Sequence, residues 1–291
     1  MNNPLVSISC ITYNHGSFIK DCLDGFLMQK TSFDFEILID DDASTDDTVD
    51  IIKLYQERYP DLIKPIFQKE NQYSKGQRGM NIAYNFNRAK GTYIAMCEGD
   101  DYWTDSLKLQ KQIDFLEHNP DYDVSFHDVD IAFKDETFSF FERNWSFLNG
   151  IRTVYFKDFI NRNYHIPTCS FVFRKKKVIP PPFYDRMNYG DFILFSCALV
   201  NSKAYVFYEK MGLYRKNNPG SVTNNKGLFD SFRIKSDYIE FLTWLQKQAN
   251  KEEQEFIVER IYAEINTIRS KVDMFKNSKF FSLYSKIQKY L

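Results

Sequence analysis

Acidic side chains cluster at two places in the first half of the sequence, each directly after an apolar run. Asp41 and Asp42 belong to the first cluster, and Glu98, Asp100 and Asp101 belong to the second. Two unit charges about 4 Å apart repel each other by roughly 4 kcal/mol at an effective dielectric constant of about 20. A hard divalent cation, Mg²⁺ or Mn²⁺, would offset this repulsion because such ions prefer oxygen ligands. The alternative is a solvated acidic turn that holds no ion.

The first cluster continues into residues that are typical of a helix start. Ser44 and Asp47 have the Ser-x-x-Asp spacing of a capping signal, and apolar residues follow at helical intervals. Amides at a helix N-terminus stabilise nearby carboxylates, which accounts for Asp46 and Asp47. Asp41 and Asp42 precede the cap, so capping explains them less well and a ligand-binding role stays open.

The elements that must position these clusters alternate between strands and helices. Short β-rich runs predict five strands, at 5–11, 35–39, 62–67, 92–97 and 122–129. Helices are predicted between them, including one near 78–89. This alternation predicts an α/β fold with a mostly parallel central sheet and helices on both faces. Ligands bind beyond the carboxyl ends of the strands in such sheets, so we expect the two acidic loops to meet at one cleft.

The rest of the chain has a different pattern. Residues 131–228 are less regular, and short runs there predict several antiparallel strands, including 169–173 and 204–208. The last part is helical, with apolar residues three or four positions apart. We therefore predict three parts, 1–130, 131–228 and a helical C-terminal extension, 229–291.

The composition excludes several classes of protein. The 291 residues carry 38 basic and 39 acidic side chains, a net charge of −1, so the chain lacks the positive field that nucleic acid binding requires. The five cysteines are scattered without a Cys-x-x-Cys pair, which favours a reducing, cytoplasmic setting over a zinc site or disulfides. We expect no signal peptide and no transmembrane helix, because the N-terminus lacks a basic segment and every apolar run is short.

The order of the motifs resembles that of glycosyltransferase family 2, inverting sugar transferases with the GT-A fold. The family's signatures are an apolar strand followed by Thr-Tyr-Asn, then Asp-Asp-Gly-Ser-Thr-Asp, then Asp-x-Asp-Asp. Their counterparts are 11–14 (Ile-Thr-Tyr-Asn), 41–46 (Asp-Asp-Ala-Ser-Thr-Asp) and 98–101 (Glu-Gly-Asp-Asp). The stretch 97–112 is similar to bacterial members that build surface polysaccharides. The resemblance is specific over residues 4–130, weaker as far as residue 225, and absent from the C-terminal helices.

The resemblance implies that the donor is a nucleotide-diphosphate sugar, usually a sugar of uridine diphosphate (UDP). Asp42 matches the family residue that hydrogen-bonds the uracil. Thr12, Tyr13 and Asn14 match strand-end residues that line the nucleoside. Asp100 matches the residue that faces the ribose and the metal.

The resemblance also implies a bound metal, Mg²⁺ or Mn²⁺, held by Asp101 together with Asp100. Asp101 matches the ligand that connects the metal to the diphosphate, which the metal stabilises as a Lewis acid. The sequence departs from the family pattern at two positions. Glu98 replaces the usual first Asp of the donor site. Ala43 replaces Gly, which indicates that a positive φ is not required there.

Inverting transfer also needs a base that removes the proton of the acceptor hydroxyl. The family places this carboxylate in a Glu-Asp or Gly-Asp pair in its second half, and Asp191 of Gly190-Asp191 is the match. An apolar run follows and predicts a helix, so a helix N-cap is the alternative role for Asp191. Arg215 resembles a late-loop residue that stabilises the leaving diphosphate, with a surface position as the alternative. Arg78 is a candidate contact to the donor, and the alternative is that it lies in a solvated loop. His165 is a candidate contact to the acceptor, and the alternative is a purely structural histidine.

The C-terminal segment 266–291 carries six basic residues and one acidic residue, interleaved with aromatic side chains. Such a segment can bind an anionic membrane surface, with about 1 kcal/mol for each basic residue. The alternative is a helix packed on the catalytic part or on a second subunit. Docking would suit the lipid-linked acceptors that the resemblance implies, and would place the protein on the inner face of the membrane.

The motifs together with this resemblance imply a metal-dependent inverting glycosyltransferase. It would move a sugar from a nucleotide-diphosphate donor, with a UDP-sugar expected, to a glycan or lipid-linked acceptor in cell-surface polysaccharide synthesis. Residues 1–130 would bind the donor, and residues 131–228 would bind the acceptor and supply the base. A nucleotidyltransferase on a similar fold would favour a Gly-rich, basic loop after the first strand, which the sequence lacks. A dehydrogenase is disfavoured because no Gly-x-Gly-x-x-Gly motif is present. A non-catalytic nucleotide-binding or scaffold subunit is the other alternative.

Overall fold

The computed structural model describes residues 3–133, 136–160, 166–188, 190–216 and 228–276. The chain divides into two compact units, residues 1–224 and 225–291. The first unit is an α/β domain, as predicted, and the second is helical. The division of the first unit into a donor part and an acceptor part stays a prediction.

One sheet organises the first unit. Its strands, among the described residues, are β1 (Val6–Thr12), β2 (Phe35–Asp41), β3 (Ile63–Phe67), β4 (Tyr93–Met96), β5 (Tyr102–Trp103), β6 (Val124–Phe133), β7 (Glu136–Ser139), β8 (Thr153–Tyr155), β9 (Val172–Arg174) and β10 (Lys203–Arg215). Their order along the sheet is β3-β2-β1-β4-β9-β6-β10-β5, with β7 paired to β6 and β8 paired to β10.

The first half of the sheet is parallel, as predicted. β1 pairs with β2 and β4, and β2 pairs with β3, all in the parallel direction. The interior positions of β1 and β2 are buried on both faces, because this half of the sheet is covered by helices. The carboxyl ends of β1, β2 and β4 therefore lie at the same edge of the sheet.

The second half of the sheet mixes directions. β9 runs antiparallel to β4 and β6, as predicted, but residues Thr168–Ser170 form a 3₁₀ turn, so the strand starts later than expected. β10 includes the predicted strand 204–208. It runs parallel to β6, however, and antiparallel only to β5 and β8. A local apolar run does not encode the direction of its partner strand, which explains the wrong prediction for the β6 pairing.

The helices of the first unit connect these strands. They are α1 (Ile19–Leu27), α2 (Thr48–Arg58), α3 (Lys108–His118), α4 (Phe140–Asn144), α5 (Phe156–Ile160) and α6 (Gly190–Leu199), with shorter 3₁₀ turns between them. The helix predicted near 78–89 is a single π-helical segment, Asn81–Phe86.

The start of α2 differs from the prediction. Ser44 does not cap this helix, since its hydroxyl donates to Asp41 Oδ2 at 2.5 Å. Asp46 Oδ1 accepts the Thr48 N–H at 3.1 Å instead, and Asp47 occupies the N-cap position without a side-chain capping bond. The serine therefore stabilises the acidic loop rather than the helix.

Two long helices, α7 (Leu228–Gln246) and α8 (Lys251–Lys276), form the described part of the second unit. Glu264 on α8 accepts hydrogen bonds from Arg260 one turn earlier and from Lys235 on α7, so an ion-pair network joins the two helices. Within the described ranges, no helix has both the length and the apolar character needed to cross a membrane. The basic C-terminal segment 266–291, called the basic tail below, lies partly outside the described residues, because 277–291 are not among them.

Candidate functional site

The first acidic loop carries Asp41 and Asp42, and the second carries Glu98, Asp100 and Asp101. The two loops leave the sheet on either side of the end of β1. The Asp42 N–H donates to the Thr12 carbonyl oxygen at 3.0 Å, and the Gly99 N–H donates to the Ile11 carbonyl oxygen at 3.0 Å. A Cβ atom on Gly99 would lie 2.6 Å from Thr12 Oγ1, so this close approach requires glycine. Tyr13 follows β1 at the same edge, with 43% of its surface exposed. The structure thus brings both loops to one edge of the sheet.

The first acidic loop is held against the end of β1. Asp41 accepts two hydrogen bonds from Ser44, one from its N–H at 3.0 Å and one from its hydroxyl. Asn14 Oδ1 accepts the Thr45 N–H at 2.8 Å, and the Asn14 N–H donates to Ser44 Oγ at 2.9 Å. Asn14 therefore fixes the first loop to the residues that follow β1.

The backbone at Ala43 contradicts the expectation drawn from its side chain. Ala43 has a φ of +61°, in the left-handed region that glycine favours. The turn closed by the bonds between Asp41 and Ser44 encloses this residue. The positive φ is therefore kept here although the residue is not glycine.

Asp42 also binds a neighbouring loop, residues 72–79, which it holds to the edge of the sheet. Its two carboxylate oxygens accept the Gln72 N–H at 2.6 Å and the Tyr73 N–H at 3.0 Å. Arg78 donates to the carbonyl oxygens of Tyr73 and Gln77, and its guanidinium lies 3.8 Å from the centre of the Tyr73 ring. A carboxylate has about four acceptor positions, so Asp42 retains capacity for a further N–H donor. Arg78, in contrast, is engaged by its own loop.

His15 belongs to the site, although the sequence analysis did not single it out. Its Nδ1 lies 3.2 Å from Thr12 Oγ1, and its Nε2 lies 4.0 Å from Asp100 Oδ2. Burial lowers the pKa of His15, while the charges of Asp100, Asp46 and Asp41 act in the opposite direction. Carboxylates of both acidic loops thus act on one imidazole. Its position directly after Thr-Tyr-Asn is the only signal in the sequence.

Asp101 is buried and only partly paired. Its Oδ1 accepts the backbone N–H of Arg215 at 2.8 Å, whereas its buried Oδ2 has no hydrogen-bond partner in the part of the chain that the structure describes. Burial raises the pKa of Asp101 well above its ordinary range, and the charge of Asp100 adds to the effect. A divalent cation would satisfy this oxygen and neutralise the pair.

The described residues do not by themselves supply a complete set of metal ligands. Over the described ranges, no group of three or more His, Cys, Asp or Glu side chains is arranged to hold an ion. Mg²⁺ is commonly bound by one or two carboxylates together with substrate phosphates. Asp100 and Asp101 fit that kind of site, in which the ligand completes the coordination.

Arg215 connects the second acidic loop to α1. Its guanidinium donates to the Asp100 carbonyl oxygen at 2.7 Å and to Asp21 Oδ2 at 2.7 Å. The same group lies 4.9 Å from the ring centre of Phe18 and 4.7 Å from that of Tyr102. These contacts orient the loop, and the predicted contact with a diphosphate stays a prediction.

Asp191 lies in the first turn of α6, as predicted, within electrostatic range of the second acidic loop. Burial raises the pKa of Glu98 to about 8, and the charges of Asp100 and then Asp191 add to this shift. The pKa of Glu98 is thus raised by one carboxylate of its own loop and by one carboxylate of α6. His165, the predicted acceptor contact, lies outside the described residues.

Sequence comparison identifies the family. The profile of Glycosyl transferase family 2 matches residues 7–179, more than half of the chain. The chain belongs to glycosyltransferase family 2. The matched region includes both acidic loops and ends before Asp191, so the family resemblance seen in the motifs is confirmed for the part of the chain that carries the two acidic loops.

Relatives with similar sequences match parts of this family 2 protein. An uncharacterised protein of Mycobacterium tuberculosis is 35% identical over 223 residues, which are 74% of this chain and 60% of the relative. The Escherichia coli UDP-Glc:alpha-D-GlcNAc-diphosphoundecaprenol beta-1,3-glucosyltransferase WfaP is 41% identical over 114 residues, 39% of this chain and 41% of that enzyme. The matched regions therefore span less than two thirds of each relative, 60% of the first and 41% of the second.

Solved structures share the fold. The 1–349 chain of TarS of S. aureus, crystallised with UDP-GlcNAc, has a TM-score of 0.68 at 17% identity, covering 94% of this chain and 76% of that crystallised chain. The mannosyltransferase PcManGT from Pyrobaculum calidifontis, in complex with GDP-Man and Mn²⁺, has a TM-score of 0.53 at 13% identity, covering 100% of this chain and 85% of the enzyme. At such low identities the likeness shows the fold alone, and it confirms the GT-A fold.

Proposed function

We propose that this family 2 protein is a metal-dependent inverting glycosyltransferase that uses a UDP-sugar to extend a glycan or lipid-linked acceptor in cell-surface polysaccharide synthesis. One observation carries the proposal: the two acidic loops, far apart in sequence, both hydrogen-bond to the end of β1, where the Asp42 N–H donates to the Thr12 carbonyl oxygen and the Gly99 N–H donates to the Ile11 carbonyl oxygen. Inverting displacement of a nucleotide sugar needs carboxylates gathered in this way on the side of the leaving diphosphate, and a further carboxylate on the side of the attacking hydroxyl. Family membership and the two acidic loops support this assignment.

The nucleoside of the donor would bind between the first acidic loop and the end of β1. Asp42 already accepts two N–H groups and has acceptor capacity for the imide N–H of a uracil. Thr12, Tyr13 and Asn14 would line the base and ribose, with Asp100 on the ribose from the second loop. WfaP, 41% identical over 114 residues, is named for a UDP-Glc donor, which supports UDP as the nucleotide.

Mg²⁺ or Mn²⁺ would be held by Asp101 and Asp100, where the buried Oδ2 of Asp101 has no hydrogen-bond partner among the described residues. When bound, such an ion supplies Lewis-acid stabilisation of the leaving diphosphate. Glu98 would lie near the same phosphates. Arg78 and Arg215 would add positive charge after a rearrangement of their present contacts.

Asp191 would act as the general base. In the displacement, the acceptor oxygen forms a bond to the anomeric carbon while the bond from that carbon to the diphosphate oxygen breaks. The electron pair of the broken bond leaves with the UDP, and the hydroxyl proton moves to the Asp191 carboxylate. His165 remains a candidate for orienting the acceptor.

The acceptor is proposed to be a glycan or a lipid-linked saccharide. WfaP is named for a diphosphoundecaprenol-linked acceptor, and TuaG of Bacillus subtilis, 36% identical over 115 residues, for teichuronic acid biosynthesis. The basic tail would hold the protein to the inner face of the membrane, near such acceptors. The Lys-rich, aromatic composition of residues 277–291 supports that placement.

A donor-cleavage assay tests the proposal without knowledge of the acceptor. UDP-GlcNAc and UDP-glucose are incubated with the protein in Mn²⁺, Mg²⁺ or EDTA, and UDP release is measured beside calorimetric binding of UDP. We expect release from one of these sugars with either metal and none in EDTA. Asp101→Asn keeps the Oδ1 acceptor for Arg215 and should remove the metal-dependent part of UDP binding. Absence of UDP release with both metals would overturn the assignment.

A further inference from the structure

Tyr184 lies between two glycines that come from distant segments of the chain. The residue is buried, with 6% of its surface exposed, in a short helical turn that precedes α6. A Cβ atom on Gly79 would lie 2.1 Å from Cδ1 of the Tyr184 ring, and one on Gly190 would lie 2.7 Å from the Tyr184 hydroxyl oxygen. Both glycines are therefore required for the ring to occupy this place.

On one side, Tyr184 holds the start of α6. Its hydroxyl donates to the Gly190 carbonyl oxygen at 3.0 Å, and Gly190 is directly followed by Asp191. Burial raises the pKa of the Tyr184 hydroxyl, and the charge of Asp191 adds to the shift, so the hydroxyl stays a neutral donor at working pH.

On the other side, the turn that carries Tyr184 holds the loop 72–79. The Arg78 N–H donates to the Asp185 carbonyl oxygen at 2.6 Å. The opposite end of that loop is bound by Asp42 through two backbone N–H groups. A continuous set of contacts thus runs from Asp42, through the loop and the Tyr184 turn, to the residue before Asp191.

We propose that Tyr184 is a positioning residue, which sets Asp191 at a fixed place relative to the loop that Asp42 holds. This inference rests on the proposed function, since it assigns Tyr184 to the placement of the base. A displaced base loses alignment with the attacking hydroxyl of the acceptor, or with the attacking water when no acceptor is present, and a misplacement of about 1 Å can lower a rate by about a hundredfold. Donor binding does not require that alignment, so it should be preserved.

The test compares Tyr184→Phe with Tyr208→Phe. Tyr208 is a matched control, because its hydroxyl also donates to a carbonyl oxygen, that of Ile151 at 2.8 Å. We expect Tyr184→Phe to lower kcat for UDP release from the active UDP-sugar by about tenfold or more, with KM and the UDP affinity unchanged. Tyr208→Phe should keep kcat.

A second pair of variants tests the ring contact itself. Gly79 and Gly76 both have a positive φ, +68° and +95°, so alanine strains the backbone at either position. Only at Gly79 does the new Cβ also meet the Tyr184 ring, since nothing lies within 4 Å of a Cβ on Gly76. We expect Gly79→Ala to lower kcat much more than Gly76→Ala.

The outcomes separate this inference from the proposed function. A wild-type protein that releases no UDP removes both. An active wild-type protein whose Tyr184→Phe variant keeps its kcat overturns the positioning role alone. Equal losses of kcat in Tyr184→Phe and Tyr208→Phe, or in Gly79→Ala and Gly76→Ala, would also overturn it, because they would reflect general destabilisation.

Discussion

At the scale of single residues, replacing the proposed base Asp191 should lower turnover without weakening UDP binding. Asp191→Asn keeps the size and polarity of the side chain at the start of α6 but removes the proton acceptor. We expect UDP affinity to be preserved and turnover to fall by about 10²–10⁴-fold, the usual contribution of a general base. Calorimetry of UDP binding and an assay of UDP release measure the two quantities separately.

Asp185→Asn is the matched control for that variant. Asp185 is an exposed acidic residue of the preceding turn, so its substitution makes the same chemical change a few residues away. It should keep full turnover. If Asp191→Asn also remained fully active, the base would have to be sought elsewhere, and Asp191 would be a helix-terminal residue of structural importance only.

Asp40 should make the free energy of unfolding of the protein depend on pH. It is fully buried in β2, where Oδ1 accepts a hydrogen bond from the Gln68 side chain at 2.8 Å and Oδ2 has no partner among the residues described. Burial raises the pKa of Asp40 to about 7. Between about pH 4 and pH 7 the folded protein therefore keeps a proton that the unfolded chain has released. The free energy of unfolding should fall as the pH rises through this window, by up to about 4 kcal/mol.

Asp40→Asn isolates this contribution. The variant lacks the titrating group, so its free energy of unfolding should fall less between pH 4 and pH 8 than that of the wild type. Glu98 and Asp101 titrate in the same direction but are present in both proteins, so the difference reports Asp40. Urea denaturation at several pH values measures it. Parallel pH profiles for the two proteins would mean that Asp40 is already ionised in the folded state.

At the scale of elements, apolar runs predicted the strands that position the site. The expected strands 5–11, 35–39 and 92–97 correspond to β1 (Val6–Thr12), β2 (Phe35–Asp41) and β4 (Tyr93–Met96). These strands are buried on both faces, so composition alone distinguishes them from the polar loops. The direction of β10 and the π-helical form of Asn81–Phe86 were not predictable, because both depend on contacts with distant segments.

A substitution in the turn between β2 and α2 should increase the stability of the protein. Ala43 has a φ of +61°, a conformation that costs a non-glycine residue about 1–2 kcal/mol. Ala43→Gly should therefore raise the free energy of unfolding by about 1 kcal/mol, after allowance for the greater flexibility of glycine in the unfolded chain. Ala83→Gly is the control, since Ala83 lies inside a helical segment with a negative φ and should lose about 1 kcal/mol. Urea denaturation that showed equal losses in both variants would contradict the strain at Ala43.

At the scale of the whole molecule, the site is assembled from segments that single motifs do not connect. The positions of the two acidic motifs at strand ends and of Asp191 in the first turn of a helix could be predicted, and their roles in binding and catalysis stay predictions. His15 and Tyr184 could not, because they matter through contacts with Asp100 and Gly190 that only the folded chain creates.

The basic tail predicts how the whole protein associates with membranes. Residues 276–291 contain four lysines and no acidic residue. Their attraction to anionic lipid is about 1 kcal/mol for each charge near the surface, enough for reversible binding. Deletion of residues 276–291 should therefore abolish co-sedimentation with vesicles that contain phosphatidylserine, and high salt should release the intact protein. Neutralising Lys53, Lys69 and Lys176, which are exposed in the first unit, removes similar charge and should leave binding intact. Unaltered sedimentation of the truncated protein would instead favour a tail that packs on the protein.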